Sequence, residues 1–138
     1  MGIATNIEGR LRVHRVTGSV TPGEVAEQIR STHVGRPAPV LPTLWDFSSA
    51  VLAGWDVDTV LALADRIEGA ASSPFVAALV VANPETYGSA RVALAMLQSR
   101  APIEGHVFCS ETSARAWLRV REHRSRRASG STPRLSGD

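Results

Sequence analysis

Two aspartates and one arginine are the side chains best suited to acid–base chemistry in this sequence. Asp46 and Asp56 lie near the end of a predicted strand and the start of the next helix, the part of an open α/β sheet where ligands bind. A carboxylate there could act as a general base, with Arg91 as an anion clamp. Asp56 is also well suited to capping a helix. We favour that structural role and keep a small enzyme as an alternative.

The aromatic residues predict a different kind of site. Trp45 and Trp55 flank one predicted strand-to-helix connection, and Tyr87 opens the next helix. Both connections are expected at one edge of the sheet, where the rings could line an apolar pocket with Arg91 at its mouth. The alternative is that these rings fill the core. The predicted ligand-binding residues are therefore Trp45, Asp46, Trp55, Asp56, Tyr87 and Arg91.

The patterns typical of other site chemistries are missing. The four histidines are scattered and Cys109 is the only cysteine, so no ligand spacing predicts a metal site. Neither glycine-rich phosphate motif occurs, and no cofactor is expected. Cys109 is predicted to lie in a buried strand as a small hydrophobe. A single cysteine cannot form an internal disulfide, which favours a reducing, cytoplasmic compartment.

The net charge of +2 comes from the C-terminal end of the chain. Residues 1–118 carry nine Arg against eleven acidic residues, whereas 119–138 carry six Arg against two. The body therefore has no basic excess, and we expect no nucleic-acid partner. The Arg-rich end leaves peripheral contact with an anionic membrane open. No signal peptide or transmembrane segment is predicted.

Capping residues and hydrophobic periodicity define the elements that must position these side chains. The predicted strands are 3–7, 10–16, 43–47, 75–82 and 106–109. The predicted helices begin at the caps Thr21, Asp56, Asn83 and Ser110. This order, β-β-α-β-α-β-α-β-α, predicts an α/β fold with a mixed, mostly parallel five-stranded sheet and about four helices.

Within this architecture, single segments carry further expectations. The apolar strand 75–82 is predicted to be central and covered on both faces. Strand 10–16 is predicted as an edge that could pair two copies into a homodimer. One domain is expected over residues 1–124, followed by a disordered tail at 125–138 that is rich in Arg and Ser.

The order of these elements, together with four short segments, resembles the SpoIIAA-like proteins. These are relatives of the STAS domain, with a fold also compared with the Sec14/CRAL-TRIO lipid carriers. The resemblance spans roughly residues 9–118. The segments are Leu44-Trp45-Asp46-Phe47, Gly54-Trp55, Ala78-Leu79-Val80-Val81, and Val107-Phe108 followed by Ala116-Trp117-Leu118.

The resemblance implies a non-enzymatic bacterial module. STAS-type antagonists of anti-sigma factors switch partners when a serine that opens a helix is phosphorylated. The matching segment here, residues 54–58, has no serine, so a regulator without the phosphoserine is one alternative. The Sec14-like side implies an apolar ligand. The leading hypothesis is therefore a regulatory or binding module that holds a small apolar or amphipathic, lipid-like molecule or a regulatory protein near Trp55 and Tyr87.

Overall fold

The computed structural model describes residues 2–33, 41–70 and 75–121. Nine elements follow the predicted order, which confirms the fold class. They are β1 (Gly2–Glu8), β2 (Leu11–Val20), α1 (Pro22–His33), β3 (Thr43–Leu52), α2 (Val57–Ala70), β4 (Phe75–Val80), α3 (Pro84–Gln98), β5 (Ile103–Phe108) and α4 (111–121). The predicted tail at 125–138 lies outside the described residues.

The five strands form one sheet in the order β1-β2-β3-β4-β5. β1 runs antiparallel to β2, and the other neighbouring pairs are parallel. A tight turn joins β1 to β2 through Gly9, whose φ of 65° is a conformation that glycine adopts without steric cost. The sheet is therefore mixed and mostly parallel, as predicted.

β2 and β3 extend beyond their predicted ends, and β2 is an interior strand of the sheet instead of the predicted edge. β2 and β3 continue as a parallel ribbon through Val20 and Leu52, past a register shift that follows Arg15. Ser, Thr and Gly are frequent in this extension, and they indicate a loop when only local sequence is considered. β2 also pairs with strands on both sides. The expectation that strand 10–16 is a free edge is therefore wrong, and with it the basis for a homodimer through that strand.

The sheet separates two hydrophobic cores. The larger core packs α1, α2 and α3 against one face, and the smaller packs α4 against the other. β4 contributes Phe75 and Leu79 to the larger core and Ala78 and Val80 to the smaller one. It is thus an interior strand covered on both faces, as predicted, although β3 occupies the middle of the sheet.

Each predicted cap is formed. Thr21 and Glu24 exchange hydrogen bonds in a capping box, with Thr21 N–H donating to Glu24 Oε1 over 2.9 Å. The other three caps accept backbone N–H groups from the first turns of α2, α3 and α4: Asp56 from Thr59, Asn83 from Glu85, and Ser110 from Ser113. These bonds satisfy donors that the helix itself leaves unpaired, and so they define where each helix starts.

Candidate functional site

An apolar cavity of about 80 Å³ lies between the sheet and the three helices of the larger core. Trp45 and Phe47 of β3 line it from the sheet side, and Ala93 and Leu94 line it from α3. Apart from His14 and Thr43, its lining residues are all apolar or tryptophan. Such a space favours hydrocarbon or aromatic groups over charged ones.

Trp45 belongs to a row of rings on the sheet. It is 6% exposed, and its ring centroid lies 4.2 Å from that of His14 on the neighbouring strand. The Phe47 ring stacks nearly parallel to it at 5.8 Å. Because β3 continues to Leu52, Trp45 lies well inside the strand and not beside the strand-to-helix connection that it was predicted to flank. Its side chain reaches the cavity because it lies on the sheet face that carries the larger core.

Trp55 reaches the same cavity from the connection between β3 and α2. Gly54, with a φ of 73°, turns the chain just before it. The half-buried Trp55 ring packs against the larger core, and its Nε1–H donates a 2.9 Å hydrogen bond to the backbone carbonyl of Val20. The bond holds the indole across the end of β2. The structure therefore brings Trp45 and Trp55 together at one cavity.

Tyr87 and Arg91 lie elsewhere. Tyr87 packs against the larger core from the first turns of α3, and the Arg91 guanidinium lies over its ring, 5.8 Å from the centroid. The two residues are one helical turn apart, which places them side by side on the helix surface. Neither side chain lines the cavity. Arg91 instead borders a separate groove beside β5.

Asp46 and Asp56 both have structural partners. Asp46 accepts hydrogen bonds from Arg15 at 2.9 Å and from the Ser48 backbone N–H at 3.0 Å, on the sheet face opposite the cavity. Asp56 accepts from the backbone and side chain of Thr59, and these bonds lower the pKa of its carboxyl. Neither aspartate shares a pocket with Arg91 among the described residues. The arrangement therefore gives no support to the enzyme alternative.

His14 is the cavity residue that the sequence analysis did not select. It is 2% exposed, and its Nδ1 lies 2.8 Å from the Thr5 hydroxyl, which accepts a 2.8 Å hydrogen bond from the Gln28 amide. A polar chain thus runs from the cavity to α1. In a strand with one exposed face, a polar residue indicates that face. In a strand covered on both faces it does not, so the sequence signal for a buried His14 is weak.

An ion-pair network attaches α4 to the sheet. Arg15 bridges Asp46 and Glu111, at 2.9 and 2.8 Å. Arg115 continues the network to Glu111 at 2.7 Å and to Glu8 at 3.0 Å. The hydrogen bonds from the two arginines lower the pKa of Glu111 to about 2. The network is structural, and within it the Asp46 carboxylate serves as an ion-pair partner of Arg15.

The lone cysteine differs from its prediction. Cys109 is exposed, because β5 begins at Ile103 and ends at Phe108, earlier than predicted. Within residues 2–33, 41–70 and 75–121, no cluster of three or more His, Cys, Asp or Glu side chains could hold a metal ion. In the same ranges, no helix combines the length and apolar character that crossing a bilayer requires.

No family model matches the chain, and no curated protein matches it. Among solved structures, the chain is similar to an uncharacterized protein of the DUF3478 family with a SpoIIAA-like fold, from Shewanella loihica PV-4. The two are 18% identical, and the match covers 85% of this chain and 92% of that one, with a TM-score of 0.55. At this identity the likeness shows the fold and nothing about activity. It confirms the resemblance seen in the sequence at that level: the chain has the SpoIIAA-like fold.

Proposed function

We propose that the protein is a non-enzymatic binding module that takes a small apolar ligand into the cavity lined by Trp45 and Trp55. The observation that carries this proposal is an apolar space bordered by both tryptophans and by only two other polar side chains, His14 and Thr43. A site of this composition gains free energy from the removal of apolar surface from water. The lone cysteine supports a cytoplasmic location for this module.

The cavity volume limits the ligand. A dry apolar cavity of about 150 Å³ binds benzene, and this cavity has about 80 Å³. A compact ligand of few heavy atoms is therefore expected, and the cavity would have to widen to admit an entire benzene ring. A long acyl chain would require α1, α2 and α3 to separate from the sheet. A polar group of the ligand would have to lie beside His14 or Thr43, the two polar lining residues other than tryptophan.

The test is tryptophan fluorescence during titration with benzene, with xenon and with dodecanoate. Trp117 lies on the opposite face of the sheet, so a Trp117→Phe background leaves emission from Trp45 and Trp55. We expect xenon or benzene to change this emission saturably and dodecanoate to bind more weakly. If none of the three ligands changes the emission, the proposal is wrong.

Filling the cavity provides the matched test. Ala93 is buried and lines the cavity, whereas Ala95 is exposed on the same helix and does not. Ala93→Leu should abolish the fluorescence response, and Ala95→Leu should retain it. If Ala93→Leu does not fold, as judged by circular dichroism, the smaller Ala90→Val change in the same lining is used instead. An unchanged response in the folded, cavity-filled variant would refute the site.

A further inference from the structure

The outer side of β5 opens into a groove of about 850 Å³, whose lining shares only Leu94 and Ile103 with that of the apolar cavity. β5 is the last strand of the sheet, and no described strand pairs with its outer side. We call this space the β5 groove. Its floor is formed by residues 102–107. One wall is an α3 stripe of Arg91, Leu94, Ala95 and Gln98, and the other is Trp117 and Arg121 of α4.

The backbone of β5 directs hydrogen-bonding groups into this groove. The carbonyls of Pro102 and Phe108 accept N–H groups from the β4 side, at 2.8 and 2.9 Å. Successive residues of a strand direct their backbone groups to opposite sides, so 103, 105 and 107 turn theirs away from β4. The floor of the groove is therefore a row of backbone donors and acceptors with the spacing of a β-strand.

One side chain already occupies part of this row. The Gln98 amide donates to the carbonyls of Ile103 at 3.3 Å and Gly105 at 3.4 Å. Both distances exceed the usual range for N–H···O bonds, so the bonds are weak. The amide stands where the N–H groups of an added strand would donate. Within the described residues, the N–H groups of Gly105 and Val107 have no hydrogen-bond partner.

The charge on the groove walls favours an acidic occupant. Arg121 lies 5.5 Å from the Trp117 ring centroid and pairs with Glu104. Arg91 lies over the Tyr87 ring and pairs with no carboxylate in the described part of the chain. Among the described residues that line the groove, Arg91 is thus the one uncompensated cation. A second copy of this chain would bring its own uncompensated Arg91 to the same groove, and like charges brought together are unfavourable.

From these features we propose that the β5 groove binds an extended, acidic peptide segment of a partner protein by β-strand addition. The segment would pair with the outward backbone groups of Gly105 and Val107 and displace the Gln98 amide. One of its carboxylates would contact Arg91. Strand addition draws its affinity from main-chain hydrogen bonds and its specificity from the flanking side chains. This interaction does not require a ligand in the apolar cavity.

The probes are three fluorescein-labelled nine-residue peptides of alternating Val and Thr. The first carries two Glu residues, the second has Lys in their place, and the third is the Glu peptide with alternate backbone amides N-methylated. By fluorescence anisotropy on the full chain, the Glu peptide should bind at least about tenfold more tightly than the Lys peptide. The N-methylated peptide should not bind. Amide hydrogen exchange should slow at Gly105 and Val107 when the Glu peptide is bound.

Charge-reversal variants locate the contact. Arg91→Glu should weaken the Glu peptide by about tenfold or more and strengthen the Lys peptide. Arg119→Glu makes the same charge change on an exposed α4 residue outside the groove, and it should leave binding unchanged. Ala95→Trp should block the groove, whereas Ala93→Leu, which fills the cavity, should not. Each of these variants is compared only after its circular dichroism matches that of the unmodified chain.

Several results would overturn the proposal. They are no binding of the Glu peptide at millimolar concentration, equal binding of the Glu and Lys peptides, and binding that leaves exchange at Gly105 and Val107 unchanged. Concentration-dependent dimers with slowed exchange at Val107 would identify a second copy as the occupant and would equally refute a peptide partner. Loss of peptide binding in Ala93→Leu alone would place the contact at the cavity.

Discussion

Replacing Gly105 by alanine should destabilise the fold, because the backbone of β4 leaves no room for a side chain. Gly105 pairs in register with Ala77, and a Cβ added at Gly105 would lie 2.7 Å from the Ala77 carbonyl oxygen. That oxygen belongs to an interior strand, so it cannot shift without disturbing both neighbouring strands. Overpacking of this kind costs about 1–3 kcal/mol. The reduced entropy of the unfolded chain returns about 0.4–1 kcal/mol, so the net loss is about 1–2 kcal/mol.

Urea unfolding followed by far-UV circular dichroism measures this loss. With a slope of about 1–3 kcal/mol per molar urea, the midpoint should fall by roughly 0.3–2 M. Gly88→Ala is the matched control, because nothing lies within 4 Å of the added Cβ in α3. It should stabilise the chain by about 0.5–1 kcal/mol, the usual gain in a helix interior. A Gly105→Ala midpoint at or above that of the unmodified chain would refute the argument from close approach.

Three further predictions concern the caps and the polar contacts. The folded pKa of Glu111, about 2, lies below its ordinary 4.5; its stabilisation should therefore be complete above pH 4.5 and lost as pH falls toward 2. In urea titrations from pH 7 to pH 2, the free energy of unfolding should fall by about 1 kcal/mol from this group, after allowance for solvent screening. Glu111→Gln should remove that fall, and an unchanged pH dependence in this variant would contradict the prediction. Asp56→Ala should cost about 1 kcal/mol and Asp58→Ala, which removes a first-turn acid, less than about 0.5 kcal/mol; equal losses on thermal unfolding would argue against the cap. Trp55→Phe keeps a ring but loses the indole hydrogen bond, and urea unfolding should show a loss of about 1 kcal/mol; no loss would mean that the bond contributes nothing.

The element order was predictable because its signals are local. Each helix start depends on a capping side chain and on N–H groups two or three residues away, as Asp56 and Thr59 show. The apolar run of β4 predicted a strand buried on both faces, and the structure has it between two cores. The ends of β2 and β3 were not predictable. Their extension depends on one strand pairing with the other, and its small polar residues do not indicate this by themselves.

The candidate site was predicted only in part. Trp45 and Trp55 meet at one cavity, but Tyr87 and Arg91 lie outside it. The connection flanked by Trp45 and Trp55 and the one that Tyr87 follows were expected to face a common pocket. In the structure, Trp45 lies within β3 and Arg91 points to the side of the last strand. Which face of the sheet a residue occupies depends on the pairing register of its strand, because one residue of shift reverses every side chain.

The helix starts, the strand segments and their order are encoded locally, because they depend on contacts between residues a few positions apart. Long-range pairing makes β2 an interior strand, places the buried His14 beside Trp45, and leaves the outer side of β5 without a partner among the described strands. It also brings together Arg15 and Glu111, which are 96 positions apart in the chain. Such contacts arise from the pairing of distant segments, and no local pattern encodes them.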